Sequence, residues 1–166
     1  MPAMSASANS FLAELTVPLP DEAATARLGA ALAALLVPGD FVALRGDLGA
    51  GKTALARATI RARLSDPEEE VPSPTFTIVQ TYEAPDILLT HVDLYRIEQP
   101  EDAAELGLAD ALDEGALLVE WPEKLGLLPQ DRLDIAIHLV GEGGGREARL
   151  TGHGSWARRV EGLKNA

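Results

Sequence analysis

The feature that most constrains the fold of this chain is a glycine-rich segment at residues 46–53, which reads GDLGAGKT. It matches the pattern G-x-x-x-x-G-K-[ST] of phosphate-binding loops. The apolar run FVALR at residues 41–45 precedes it and predicts a buried strand, whereas residues 52–64 have the periodicity of a helix. Strand, glycine loop and helix in this order make a P-loop unit. The sequence therefore predicts an α/β fold built around that unit.

The residue types of this segment predict a site for a nucleoside triphosphate with magnesium. Glycines let the backbone turn tightly and direct its N–H groups inward, so that loop and helix N-terminus form a cradle for phosphate oxygens. A lysine supplies positive charge toward the β and γ phosphates, and the following hydroxyl is placed to ligate Mg²⁺. The predicted nucleotide-binding residues are Gly46, Asp47, Leu48, Gly49, Ala50, Gly51, Lys52 and Thr53.

The remaining pattern predicts helices packed on a mixed sheet. Alternating or continuous apolar runs predict strands at residues 11–19, 75–82, 87–94, 116–119, 132–140 and 146–150. Helices are expected at residues 22–36 (after the N-cap Asp21), 100–106 and 155–163. Two of the strand pairs are candidate hairpins, so we expect a P-loop NTPase three-layer domain with both parallel and antiparallel strands. Residues 1–166 are interpreted as one domain, with residues 1–10 as a flexible tail.

Composition narrows the classes of function. The 166 residues include no cysteine, which excludes disulfides, thiolate metal sites and a cysteine nucleophile. No apolar stretch is long enough to span a membrane and no signal peptide is recognisable, so the cytoplasm is the expected location. Acidic residues number 26 against 14 basic ones, for a net charge of -12. Such a surface repels nucleic acid, so a partner is expected to hold any RNA substrate.

Two acidic residues are candidates for the metal site that a P-loop requires. Glu120 follows the apolar run ALLV, and Asp93 lies near the end of the strand before it. Thr75 belongs to a proline-rich SPT segment, where P-loop proteins often have a switch that senses the γ-phosphate. Trp121 adjoins Glu120 and can cover the nucleotide, face a partner or pack in the core. The three histidines are scattered without metal-ligand spacing, so no chemistry is assigned to them.

The identity of the nucleotide follows from a missing motif. A GTPase normally carries an Asn-Lys-x-Asp motif that reads the base, and neither Asn9 nor Asn165 stands in such a setting. ATP is therefore the expected nucleotide. From the residues alone, three functions remain open: an ATPase, a small-molecule kinase, and a module that binds ATP without hydrolysing it.

Four segments together resemble one known family. GDLGAGKT, SPTFTIVQTY, HVDLYR and LVEWPEK occur in the order and spacing of the bacterial TsaE family, and the similarity runs from about Leu19 to Arg149. The resemblance implies a P-loop ATPase that serves synthesis of N6-threonylcarbamoyladenosine (t6A) at adenosine 37 of tRNAs reading ANN codons. It further implies a complex with a TsaB–TsaD pair, in which ATP hydrolysis permits repeated cycles and is slow without the partners.

The resemblance also implies roles for individual residues. Lys52 contacts phosphates, and Thr53 with Glu120 holds Mg²⁺. Asp93, in the DLYR motif, serves hydrolysis or its coupling. The resemblance places further residues near the nucleotide. They are Thr75 of the SPT segment, Trp121 next to the metal ligand Glu120, and Arg146 of GREAR. Asp21 and Glu22 start the helix that the resemblance places near the nucleotide base.

Overall fold

The computed structural model describes residues 12–73 and 78–166. One seven-stranded sheet has the spatial order β1-β7-β6-β2-β5-β4-β3. Strand β2 pairs in parallel with β5 and β6, and β5 pairs in parallel with β4, whereas the β1–β7, β6–β7 and β3–β4 pairs are antiparallel. The strands are β1 (Leu12–Leu19), β2 (Phe41–Arg45), β3 (Val79–Glu83), β4 (Leu88–Asp93), β5 (Gly115–Glu120), β6 (Arg132–Val140) and β7 (Gly145–His153).

Helices cover both faces of the sheet. The long helices α1 (Glu22–Leu35) and α2 (Lys52–Leu64) lie side by side on one face, and their apolar side chains share a core cluster with β2, β5 and β6. A second cluster on the other face joins β2, β4 and β5 to shorter segments. Those segments are the 3-10 turn Ala104–Leu106, which continues α3 (Pro100–Ala103), then α4 (Leu108–Glu114) and the 3-10 turn Pro122–Leu125. Helix α5 (Trp156–Arg159) follows β7. This confirms the predicted α/β class, with a mixed sheet between two helical layers.

Local sequence explains where the main elements begin. Asp21 caps α1, because its Oδ1 accepts a hydrogen bond from the N–H of Ala24 at 2.9 Å. Strands β2 and β5 are almost wholly buried, as expected of parallel strands covered on both faces. Because β2, β5 and β4 run in parallel, their C-terminal ends lie side by side at one edge of the sheet. The glycine loop leaves β2 at that edge.

Most predicted elements are present, with differences at short segments. The predicted strand at residues 75–82 is β3, which begins at Val79, and residues 74–77 lie outside the described part of the chain. Helix α4 is not predicted, because its seven residues follow Gly107 and are too short and acidic to show a clear apolar stripe. The predicted closing helix is one turn of α-helix followed by the 3-10 segment Val160–Leu163.

Two further predictions concern the N-terminal tail and membrane-spanning segments. Residues 1–11 are not among those described, so the predicted tail remains a prediction. Across residues 12–73 and 78–166, no helix combines the length and apolar character needed to cross a membrane.

Candidate functional site

The glycine loop connects β2 to α2 in a conformation that requires glycine. Gly46 has φ +145°, and a Cβ there would lie 2.6 Å from the carbonyl oxygen of Ile137 on β6. Gly51, the residue before α2, has φ +115°. Both values lie in the region that L side chains rarely adopt. The backbone can therefore fold closely around a ligand here, with the free N–H groups of α2 at its floor.

Lys52 folds back over this loop. Its Nζ donates to the carbonyl oxygens of Gly46 (2.5 Å) and Asp47 (2.9 Å) and lies 4.2 Å from the centre of the Trp121 ring. Burial lowers the pKa of the Lys52 ammonium, and the carboxylates of Glu120 and Asp93 oppose that shift. The charged amine is thus held at the centre of the loop, where it can attract a phosphate.

Thr53 and Glu120 meet beside the lysine. The Thr53 hydroxyl, at the start of α2, lies 2.9 Å from both Oε1 and Oε2 of Glu120, the last residue of β5. On its other side, the Glu120 carboxylate lies 2.7 Å from Nε2 of His91 on β4. Glu120 is only 3% exposed, so this carboxylate is held by contacts from two different elements.

Asp93 ends β4 directly beside Glu120. The two residues are register partners in the parallel β4–β5 pair, and the N–H of Tyr95 donates to Asp93 Oδ1 at 2.9 Å. Burial raises the pKa of the Asp93 carboxyl, the Tyr95 N–H opposes that shift, and the Glu120 charge adds to it. Two carboxylates and one ammonium therefore share a mostly buried corner at the end of the sheet.

An aromatic pair forms one wall of this corner. Trp121 follows Glu120 with φ +59°, a value uncommon for a residue with a side chain. That turn brings its ring to 5.1 Å from the Tyr95 ring, centroid to centroid, with a 50° tilt. Trp121 packs partly against the smaller core cluster and also lines the cleft. Its roles in covering a nucleotide or in facing a partner stay predictions.

Arg146 and Glu22 lie at the other side of the loop. The antiparallel β7 brings Arg146 Nη2 to 3.2 Å from the Gly49 carbonyl oxygen, and its Cδ packs close to Gly51. Glu22, the first residue of α1, lines the cleft near Leu19. Asp21 instead caps α1 through its side chain. Thr75 lies outside the described residues, although Ser73 of the same segment lines the cleft.

A cleft of about 1070 Å³, large enough for a nucleotide, is bordered by most of these residues but not by Gly46, Asp47, Asp21 or His91. It extends from the glycine loop along the surface between α1 and α2. Its lining includes Leu19, Glu22, Leu48, Gly49, Ala50, Gly51, Lys52, Thr53, Arg57, Arg61, Ser73, Asp93, Tyr95, Glu120, Trp121, Ile137 and Arg146.

The donor atoms beside the loop fit a magnesium ion that is shared with a phosphate. Within residues 12–73 and 78–166, no three His, Cys, Asp or Glu side chains are grouped to hold a metal by themselves. Thr53 and Glu120 nevertheless offer a hydroxyl and a carboxylate in contact, and Mg²⁺ prefers oxygen ligands. Magnesium commonly takes one or two protein ligands and completes its shell with water and substrate phosphates. Thr53 and Glu120 are the residues that would hold it here.

Two neighbours of the site were missed by sequence reasoning. His91 was assigned no chemistry, yet its ring contacts Glu120. Tyr95 was not singled out, yet it orients Asp93 through its N–H and packs on Trp121. The period-2 pattern of β4 was a usable signal for His91, because His91 and Asp93 share one face of the strand.

Asp93→Asn is expected to stabilise the fold at neutral pH. Because the native pKa of Asp93 is raised, its carboxyl favours folding most when protonated, below the ordinary value of 3.8. That contribution is lost as the pH rises through the native pKa, where the ionised group must be buried. The amide avoids this cost and can keep the Tyr95 hydrogen bond. Urea unfolding at pH 7 should therefore show a higher midpoint for the variant, and at pH 3.5 the difference should vanish.

The exposed strand residue Glu83 provides the control for this pH dependence. Glu83→Gln removes a carboxylate of β3 without changing a buried group, so its unfolding midpoint should stay close to that of the parent chain. An Asp93→Asn variant that is destabilised equally at both pH values would show that burial does not disfavour the charged form here.

Comparison with known proteins points to one family. The family model described as threonylcarbamoyl adenosine biosynthesis protein TsaE matches residues 19–148. A tRNA threonylcarbamoyladenosine biosynthesis protein TsaE of Rickettsia bellii is 39% identical over 123 residues, covering 74% of this chain and 85% of the relative. The protein of that name from Bacillus subtilis is 40% identical over 112 residues, covering 66% and 68%.

A solved structure extends the likeness to three dimensions. The crystal structure of Bacillus subtilis YdiB superposes with a TM-score of 0.77 at 30% sequence identity, covering 93% of this chain and 96% of that one. The matched family model spans the glycine loop, Asp93, Glu120 and Arg146, which are the residues gathered around the cleft. The chain belongs to the TsaE family of threonylcarbamoyl adenosine biosynthesis proteins.

Proposed function

We propose that this chain is a magnesium-dependent ATPase that serves t6A synthesis at adenosine 37 of tRNAs reading ANN codons. The observation that carries the proposal is the contact between Thr53 at the start of α2 and Glu120 at the end of β5. A buried carboxylate against the P-loop hydroxyl is the arrangement that a nucleotide-bound magnesium needs. A structural role alone does not explain why Lys52, Asp93 and Glu120 share one cleft.

Each residue has a defined task in the proposed hydrolysis. The loop N–H groups and the Lys52 ammonium bind and orient the phosphates, while Thr53 and Glu120 hold the metal. Magnesium, when bound, neutralises charge that develops on the phosphate oxygens. Asp93, at the C-terminal end of β4 and oriented by the Tyr95 N–H, positions a water molecule toward the γ-phosphate. Trp121 and Tyr95 limit the access of other water on that side.

The proposed partners are TsaB and TsaD homologues, in a complex where TsaD transfers the threonylcarbamoyl group. The family membership supports a place in this pathway. The net charge of -12 supports indirect contact with tRNA, since a surface of this sign repels the phosphate backbone. In this proposal, hydrolysis resets the complex between cycles of modification and does not drive the transfer itself.

ATP turnover measured with and without a TsaB–TsaD pair tests the proposal. We expect slow release of inorganic phosphate from the chain alone, and a rate at least on the order of tenfold higher in the mixture, because a partner can supply missing transition-state contacts. Omitting Mg²⁺ should abolish release in both. An unchanged rate in the mixture would contradict the partner assignment.

The nature of the product separates the two alternative functions. A small-molecule kinase would transfer phosphate to a metabolite and release little inorganic phosphate. A binding module would hold ATP in the mixture without consuming it. Chromatography of labelled nucleotide and phosphate after incubation distinguishes these outcomes, and either of them would overturn the ATPase proposal.

A further inference from the structure

His91 is a fully buried polar residue at the site, outside the motif residues to which the proposed hydrolysis assigns tasks. It lies in the middle of β4 with 0% exposure, and its Nε2 is 2.7 Å from Glu120 Oε2. Its Nδ1 is also buried and has no hydrogen-bond partner among the described residues. An apolar side chain would fill the same space without that unsatisfied polar atom. The histidine therefore calls for an explanation other than packing.

The surroundings of the ring decide where its proton lies. If the proton were on Nδ1, that N–H would be a buried donor without a partner. The unprotonated Nε2 would then place its lone pair 2.7 Å from a carboxylate oxygen, so the two would repel each other. A proton on Nε2 instead makes a hydrogen bond to Glu120 and leaves only an acceptor unsatisfied on the other side. The geometry thus assigns Nε2 as the donor and Glu120 Oε2 as the acceptor.

Strand pairing keeps this contact in place. In the parallel β4–β5 pair, His91 is the register partner of Leu118, and Asp93 is the partner of Glu120. The imidazole reaches along β5 to the carboxylate, while Thr53 approaches the same carboxylate from α2. Glu120 is therefore held between a rigid strand and the first turn of the P-loop helix. Its rotation is restricted from both sides.

We propose that His91 is a positioning residue that holds the Glu120 carboxylate in the orientation needed for magnesium coordination. This inference rests on the proposed function, because it assigns Glu120 to the metal. Partners that orient a metal ligand typically change metal affinity by about 10- to 100-fold when removed. The effect of His91 should therefore appear in the magnesium dependence of nucleotide binding and not in nucleotide binding as such.

Calorimetric titration of ADP, in EDTA and over a series of MgCl₂ concentrations, tests this role. His91→Leu removes the donor, and His91→Asn offers an amide too short to reach Glu120. Both variants should need about 10-fold or more Mg²⁺ than the parent chain to reach the high-affinity state for ADP. In EDTA, their ADP affinity should lie within about twofold of that of the parent chain. His91→Gln places an amide N–H near the position of Nε2 and should restore most of the magnesium response.

Thr90 offers a matched control on the same strand. It is 1% exposed and its hydroxyl has no hydrogen-bond partner among the described residues, so Thr90→Val perturbs buried β4 without touching Glu120. We expect its magnesium response to equal that of the parent chain. If Thr90→Val shifts the response as far as His91→Leu, or if His91→Gln fails to restore it, the effect is structural and the positioning role is wrong.

The parent chain separates failure of this inference from failure of the proposed function. A parent chain whose ADP binding does not respond to Mg²⁺ would contradict the proposed metal site itself. A parent chain that responds, with His91→Leu and His91→Asn responding equally, would contradict only the role of His91. If the leucine variant does not fold, the asparagine and glutamine variants still give the comparison.

Discussion

Glu120→Gln is expected to reduce ATP turnover by about 10²- to 10³-fold, the usual cost of removing one electrostatic contact at a transition state. The amide has nearly the shape of the carboxylate and can still accept from Thr53, so the change removes charge and leaves the packing almost intact. In the proposed mechanism that charge holds the magnesium ion. Phosphate release from the chain with its TsaB–TsaD pair, at saturating ATP and Mg²⁺, measures the loss.

Glu123→Gln is the control for this change of charge. Glu123 lies three residues after Glu120 in the 3-10 turn Pro122–Leu125, is half exposed, and lies 3.5 Å from Arg45 instead of lining the cleft. Its neutralisation should change turnover by less than about twofold. ADP binding in EDTA should be preserved in both variants. Equal turnover of Glu120→Gln and the parent chain would exclude Glu120 from the hydrolytic site.

Arg159→Met is expected to lower the free energy of unfolding by about 3 kcal/mol, the low end of the range for breaking a buried ion pair, because Asp40 is buried but Arg159 is partly exposed. Arg159 donates from Nη1 to Asp40 Oδ1 at 2.7 Å and from Nη2 to Asp40 Oδ2 at 2.6 Å and the Leu35 carbonyl oxygen at 2.7 Å. Asp40 is 6% exposed. Without the arginine, it keeps the N–H of Val37 as a donor but loses its opposite charge. Urea unfolding followed by circular dichroism measures the loss.

Two further variants test that the loss comes from the uncompensated carboxylate. Arg158 is the exposed neighbour on the same helical turn, and Arg158→Met should change stability by less than about 0.5 kcal/mol. Adding Asp40→Asn to Arg159→Met removes the buried charge, and we expect the double variant to recover about 1 kcal/mol or more. If the double variant loses as much as the two single variants combined, the pair is not coupled.

The position of this ion pair relates it to the cleft. Asp40 directly precedes β2, the strand that leads into the glycine loop, and Arg159 lies in α5 near the end of the chain. The Arg159 guanidinium also stacks 3.8 Å above the buried Trp156 ring. The pair therefore connects the C-terminal segment to the start of β2, at the opposite end of that strand from the glycine loop. Arg159→Met is expected to affect stability before it affects the site.

Local sequence was sufficient for the P-loop unit, because the signals that make it are local. The buried run of β2, the three loop glycines with positive φ and the periodicity of α2 are adjacent along the chain. The same holds for the Asp21 cap. Short segments were less predictable: α4 has too few residues to show a periodic pattern, and its place depends on packing against the smaller core cluster.

The carboxylates illustrate a mixed case. Their place at strand ends made Asp93 and Glu120 candidates from the sequence, and the nucleotide and metal roles assigned to them remain predictions. The contact of Glu120 with Thr53, by contrast, depends on β5 lying between β2 and β4. That order is set by long-range pairing and burial of both sheet faces, which no short window of sequence contains.

The sequence alone determined which functional groups the chain contains. These are a glycine loop with lysine and threonine, acidic residues at strand ends, and motifs that match one family. What only the tertiary structure decided was which side chains share the cleft. His91 lies 29 residues from Glu120 and Arg146 lies 97 from Gly49. Their contacts exist only because β4 pairs with β5, and β7 with β6, in a particular register. Side chains alternate in direction along a strand, so a slip of one residue would turn each of them to the opposite face.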